Sequence, residues 1–281
     1  MMMIKSDARA EAGTPPDGKL LAAMGKFNEE MTNAGVMLEG EGLQASARGA
    51  LVRLTEKKLT VIDGPFSNVK GLIAGFWLLQ VPSRADAIAW AKRVPIEEGE
   101  VELRALWEMA DFAVAPEEKE GGWRDQETHF REVAATAATA PETAAALRKP
   151  GTTRFMVMLR SDPATESGAP PTTEALERMG ALMTELAMSG AMLSGEGLKP
   201  SATGARVKSA AGKRTVLDGP FSETKELIAG YTMIQVPSLA DAVAFAKRWL
   251  PIHVEAAPSC TEGEIEIRPL FELSDFPVGA T

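Results

Sequence analysis

Little in this sequence is chemically reactive. Its 281 residues include one cysteine, Cys260, two histidines, His129 and His253, and one tyrosine, Tyr231. A single cysteine excludes an internal disulfide and fits a reducing compartment, so a cytoplasmic protein is expected. Two histidines leave little room for a zinc site or a nucleophile–histidine–acid triad, and both are expected to be solvated. Cys260, followed by Thr261-Glu262-Gly263, has no basic neighbour in sequence to lower its pKa. No apolar run approaches the ~18 residues of a membrane span. Residues 1–7 lack a basic stretch followed by an apolar one, so no secretion signal is expected. Calcium-loop and glycine-rich phosphate motifs are missing too, and neither a metal nor a cofactor is expected. Positive charge is in deficit: a net charge of −9 repels phosphate backbones, which argues against nucleic acid as a partner.

What the chain does contain is written twice. Offset by about 155 residues, Gly40-Glu41-Gly42-Leu43 returns as Gly195-Glu196-Gly197-Leu198. Asp63-Gly64-Pro65-Phe66-Ser67 returns as Asp218-Gly219-Pro220-Phe221-Ser222, and Gln80-Val81-Pro82-Ser83 as Gln235-Val236-Pro237-Ser238. Roughly half the positions over residues 6–93 are identical, too many for chance in a weakly biased composition. The second copy then carries an insertion at 253–262 before both copies resume a charged, alternating segment and close on Asp-Phe. This gives a first module at 1–112, a partly helical linker at 113–152 and a second module at 153–281. Trp123, Phe130 and Ala134 have the spacing of a helix lying on a domain.

Each module reads as α+β. Leu21, Met24, Phe27 and Met31 recur at helical spacing, as do Leu176, Met179, Leu182 and Leu186, and Gly35 and Gly190 end those helices. Strands are expected at the start of each copy and near residues 37–41, 50–54, 60–63 and 75–81. Ser83 with Asp86, and Ser238 with Asp241, form S-x-x-D caps that open second helices. In the closing strands Val101 and Leu103 alternate with Glu100, Glu102 and Arg104, the pattern of a half-buried antiparallel strand. The order β-α-β-β-β-α-β is that of a decorated ferredoxin-like module. Helices cover one face of such a sheet and leave the other needing a cover. Two modules packed face to face as an intrachain pseudo-dimer, with clefts between their sheets, are therefore expected.

The segment Asp218-Gly219-Pro220-Phe221-Ser222-Glu223-Thr224-Lys225-Glu226, with the glycine-flanked Glu196 and the later Gly230-Tyr231, resembles the DGPF subgroup of the YCII-related family. The resemblance runs nearly end to end through each copy. It implies a dimeric α+β barrel, in line with the order above, and a setting beside sigma factors of the extracytoplasmic-function type. One branch of the wider family acts on chlorinated hydroxyquinols, and the family is thought to use a His–Asp pair. Here Asp63 and Asp218 match the aspartate, but no histidine matches its partner.

For each candidate residue two readings stand. Asp-Gly-Pro-Phe is a good turn with a core anchor, or it brings Asp218 to a strand end where a buried carboxylate binds ligand or acts as a base. Glu196 and Glu41 are site residues, or mark bulges. Lys225 and Arg268 hold ligand, or neutralise nearby acids. The second copy keeps Tyr231 where the first has Phe76, so the candidate site centres on Asp218, with Gly219, Phe221, Lys225, Tyr231 and Arg268 as ligand contacts and Asp63 and Glu41 as the weaker copy. The expected function is the binding or sensing of an unknown small molecule. The alternative is a weak lyase or hydrolase using Asp218 and Glu196 as acid and base on a small hydroxylated substrate. Further pairing of two chains into a homodimer is left open.

Overall fold

In the computed structural model, residues 1–108, 111, 149–169, 171–256 and 260–275 are described. The expected linker helix around residues 123–134, and Phe112 and Phe276, lie outside them. The first half runs β1 (Met2–Lys5), α1 (Ala8–Glu11), α2 (Gly18–Asn33), β2 (Met37–Gly42), β3 (Ala50–Thr55), β4 (Lys58–Asp63), β5 (Ile73–Leu79), α3 (Arg84–Ala91) and β6 (Gly99–Leu103). The second repeats it as β7 (Thr153–Arg160), α4 (Pro163–Glu166), α5 (Thr173–Met188), β8 (Met192–Gly197), β9 (Ala205–Ala210), β10 (Lys213–Asp218), β11 (Ile228–Val236), α6 (Leu239–Ala256) and β12 (Glu262–Pro269).

Local chemistry accounts for the element ends. Asp17 and Thr172 accept hydrogen bonds from Leu20 N and Ala175 N and open α2 and α5, and Ser83 accepts from Asp86 N to open α3. The hairpins β3–β4 and β9–β10 close over two residues of positive φ, Glu56 and Lys57 at 50° and 63°, Ala211 and Gly212 at 49° and 74°. Those angles give the twist that two-residue hairpins need.

The chain is a mixed α+β protein with two antiparallel six-stranded sheets. Their strand orders are β10-β9-β6-β1-β5-β2 and β4-β3-β12-β7-β11-β8. The hairpins have changed places. First-half β3 pairs with second-half β12, Val52 opposite Ile265, and second-half β9 pairs with first-half β6, Val207 opposite Val101. Each hairpin completes the core of the other half: Val52 and Leu54 pack with Phe245, Trp249 and Leu182, while Ala205 and Val207 pack with Phe27, Met31 and Trp77. The opposite sides of the two sheets share one apolar cluster, with Met3, Phe76 and Leu78 from one and Met156, Met158, Tyr231 and Met233 from the other.

Two expectations are corrected. The closing strands β6 and β12 are buried on both sides, not one: Glu102 is 0% exposed, Arg104 3%, Glu266 1% and Arg268 1%. Alternation fixes which side chains share a face, and here the polar face meets the other half instead of water. The insertion also begins as helix, because Ile252, Val254 and Ala256 carry the buried stripe of α6 past Pro251.

Candidate functional site

Among the described residues, three groups of polar side chains are withdrawn from water. The first lies where edge strands β2 and β8 approach each other. Strand alternation turns Glu39 and Glu41 inward from β2, and Ser194 and Glu196 inward from β8, with Glu41 opposite Phe76 and Glu196 opposite Tyr231. Ser194 Oγ lies 3.5 Å from Glu39 Oε2 across the two sheets. Arg154 on β7 is paired with Glu41, and its Nε donates to Glu272 at 2.6 Å. Burial pushes the Glu39 carboxyl up from 4.5 to about 7, and the charge of Glu41 adds to the rise, while Ser194 and Arg154 oppose it. Tyr231 is 2% exposed, its ring 5.7 Å from that of Phe76. Burial, then the nearby Glu39 and Glu196, raise its phenol well above the ordinary value against an opposing pull from Ser194, which lies close by without the geometry of a completed hydrogen bond to the Tyr231 hydroxyl. An orphaned buried hydroxyl beside a carboxyl that titrates near neutrality is an unusual pair to find in a protein interior. The flanking glycines let aromatic rings in close: an added Cβ would stand 3.1 Å from Phe271 at Gly42 and 3.1 Å from Trp107 at Gly197.

The second group is a pair of buried ionic relays that carry the Asp-Gly-Pro-Phe turns. In one, Glu102 meets Lys5 and Arg206, each at 3.0 Å, and Arg104 pairs with Glu166 at 3.1 Å. Glu166 accepts from Ser201 N at 2.9 Å and Ser201 Oγ at 2.5 Å, and Ser201 Oγ in turn accepts from Phe221 N at 3.1 Å. In the other, Glu266 holds Arg160 and Arg268, Arg268 meets Glu11 at 3.1 Å, and Glu11 accepts from Ser46 N, whose hydroxyl accepts from Phe66 N. The turn glycines sit on these serines: a Cβ on Gly64 or Gly219 would stand 1.8 Å from the carbonyl oxygen of Ser46 or Ser201.

This geometry separates the residues that the sequence grouped together. Asp218 is not buried; its side chain is 73% exposed and pairs with Arg84 at 2.5 Å. It ends β10, the far edge of its sheet from β2, so five strand spacings of about 4.8 Å, roughly 24 Å, lie between it and the acidic group. Asp63 is likewise exposed, at the end of the opposite edge strand β4. Asp218 and Glu196 therefore do not act on one molecule as acid and base. Gly219 and Phe221 belong to the turn, where the Arg206 guanidinium lies 4.0 Å from the Phe221 ring centre. Lys225 pairs in solvent with Glu262 at 2.8 Å. Arg268 is engaged by Gln44 O, Glu266 and Glu11, which leaves the neutralising reading for it. Of the candidates only Glu41, Glu196 and Tyr231 come together, and Glu39 and Arg154 join them unforeseen. Glu39 is replaced by Ser194 in the second copy, so comparing the copies hid it.

The third group corrects the expectation for His253. It is not solvated: Nε2 lies 2.8 Å from Asp162 Oδ2, with side chains 15% and 13% exposed. Cys260 Sγ donates to the same oxygen at 3.4 Å. Burial and the Asp162 charge push the thiol up to about 11. No metal was expected from the sequence, yet these three ligand atoms lie within 4.8 Å of one another.

The model of the YCII-related domain matches the chain twice, over residues 1–110 and 153–274. An uncharacterized protein of Rhizobium meliloti (strain 1021) is 40% identical over 73 residues, which are 26% of this chain and 54% of the relative. The chain thus spans about half the length of that curated relative.

Proposed function

Since the chain belongs to the YCII-related family in both halves, we propose that it binds a small hydroxylated molecule between β2 and β8, where Glu39, Glu41, Glu196 and Tyr231 converge. The order β6-β1-β5-β2, with helices on one side, supports reading each half as a ferredoxin-like module and the pair as an intrachain dimeric α+β barrel. The Asp218–Glu226 signature supports the DGPF subgroup, as a turn anchored in an ionic relay. The observation that carries the proposal is the Tyr231 hydroxyl, buried and without a completed hydrogen bond beside partly accessible carboxylates. Ligand hydroxyls would accept from the tyrosine and donate to the carboxylates. Sensing fits this group better than turnover, and sigma-factor-linked regulation is the setting we infer. A second reading, acid–base chemistry, is favoured by Glu39 alone, whose pKa of about 7 suits proton exchange.

Calorimetry with catechol, resorcinol and hydroquinone tests the proposal. We expect at least one to bind, with a Kd raised about tenfold in Tyr231→Phe, the size of one hydrogen bond at ~1.4 kcal/mol. The first half carries phenylalanine at the equivalent position, so this variant is expected to fold. Equal affinity in wild type and variant, or no binding by any of the three, sinks the assignment.

A further inference from the structure

We propose that Asp162, His253 and Cys260 form a zinc site, built only in the second half. The three ligands come from separate segments. Asp162 lies between β7 and α4, His253 in the last turns of α6, and Cys260 in the insertion before β12. They supply an oxygen, a nitrogen and a sulfur, the ligand types that Zn²⁺ accepts. Two anionic ligands and a neutral imidazole balance a doubly charged ion, and the remaining coordination position is left to water.

The aspartate is set for the role. Its Oδ1 accepts from Ala164 N and Thr165 N, both at 2.8 Å, and so caps α4. That fixes the carboxylate plane and leaves Oδ2 turned to His253 Nε2 at 2.8 Å and Cys260 Sγ at 3.4 Å. Outer hydrogen bonds of this kind orient metal ligands. Tetrahedral zinc, with bonds of ~2.0–2.3 Å, needs its ligand atoms about 3.3–3.8 Å apart. The oxygen–sulfur distance of 3.4 Å already falls in that range, the oxygen–nitrogen distance of 2.8 Å must open by roughly 0.5 Å, and the nitrogen and sulfur lie within 4.8 Å of each other.

Binding changes two hydrogens. The imidazole must present a bare Nε2 and so carries its hydrogen on Nδ1, and the thiol releases one proton to solvent. The bound ion would clamp the insertion to the end of β7. The first half cannot copy the site: Asp7, the counterpart of Asp162, also caps its helix, but α3 stops at Ala91 and no insertion follows.

Cobalt(II) and zinc(II) titrations of the full chain, stripped with chelator and kept reduced, test this. We expect about one equivalent of cobalt to give a thiolate charge-transfer band in the near ultraviolet with a four-coordinate visible spectrum, and zinc to displace it. The band should vanish in Cys260→Ser. Zinc affinity, read by competition with a chromogenic chelator, should fall at least tenfold in Cys260→Ser, His253→Ala and Asp162→Asn, and stay unchanged in Asp7→Asn. The asparagine keeps an oxygen for the cap, and Cys260→Ser and His253→Ala leave the cap untouched, so loss of folding does not decide the outcome. A cobalt spectrum without the sulfur band, zinc binding equal to wild type in Cys260→Ser and His253→Ala, or no zinc retained by the wild type overturns the site.

Discussion

Glu39 and Glu102 are both withdrawn from water, yet their carboxyls shift in opposite directions. For Glu102 burial alone would raise the pKa, but Lys5, Arg206 and Arg104 outweigh it and hold the carboxyl below its ordinary value. Its contribution to stability is present above the unfolded pKa and is lost as pH falls through the folded one. Glu39 is raised from 4.5 to about 7, first by burial and then by the charge of Glu41, which Ser194 and Arg154 do not offset. Its favourable contribution is complete below about 4.5 and is lost as pH rises through about 7, so above neutrality the ionised carboxylate costs stability. Glu39→Gln should therefore gain more stability at about pH 8 than at about pH 5. The expected difference is about 2 kcal/mol, after discounting the full shift for partial exposure. Urea unfolding of both proteins at the two pH values measures it, and an equal effect at both shows that Glu39 does not titrate as described. At this scale the sequence was a partial guide. Duplication drew attention to Glu41 and Glu196 because both copies have them, and to Asp218 because its motif is distinctive. Glu39 and His253 are unmatched between copies, and the meaning of His253 depends on Asp162, which is distant in sequence.

Among the elements, β12 carries the sharpest contrast between a buried and an exposed charge. Glu266 is 1% exposed and is shared by Arg160 and Arg268. Two residues earlier on the strand, Glu264 pairs with the half-exposed Arg53 at 2.6 Å. Removing one partner of a buried pair strands the other charge, at about 3 kcal/mol, while exposed pairs contribute under ~1 kcal/mol. Glu266→Gln is expected to lower the unfolding free energy by that larger amount, read as a fall in the urea midpoint, and Glu264→Gln to move it little. Similar losses for both would remove the relay from the list of what holds this strand in place. The helices, their caps and the approximate strands were legible from periodicity and from the agreement of the two copies. The burial of the polar strand face was not, since alternation says nothing about what covers a face.

At the level of the whole molecule, the exchanged hairpins could not be read from the sequence for a physical reason. The two copies present nearly the same edges, so β3 suits β6 of its own half about as well as β12 of the other. Pairing preferences written in side chains cannot distinguish partners that share those side chains. The exchange predicts how the halves behave when separated. Residues 1–112 alone keep a hairpin with no second-half β12 to join and a β6 with no β9 beside it. We expect this fragment to self-associate by the same exchange, and co-expression with residues 153–281 to give a one-to-one complex, read by size-exclusion chromatography with light scattering. A well-folded monomer of either fragment, its hairpin closed on its own sheet, would contradict it. The arrangement also decides what inheritance can act on. A repeat that lends its hairpin to its neighbour cannot be deleted or recruited elsewhere alone, so selection sees the pair as one unit. Freedom to change is left to segments that stay at home, such as the insertion at 253–262, where the histidine and the cysteine have gathered.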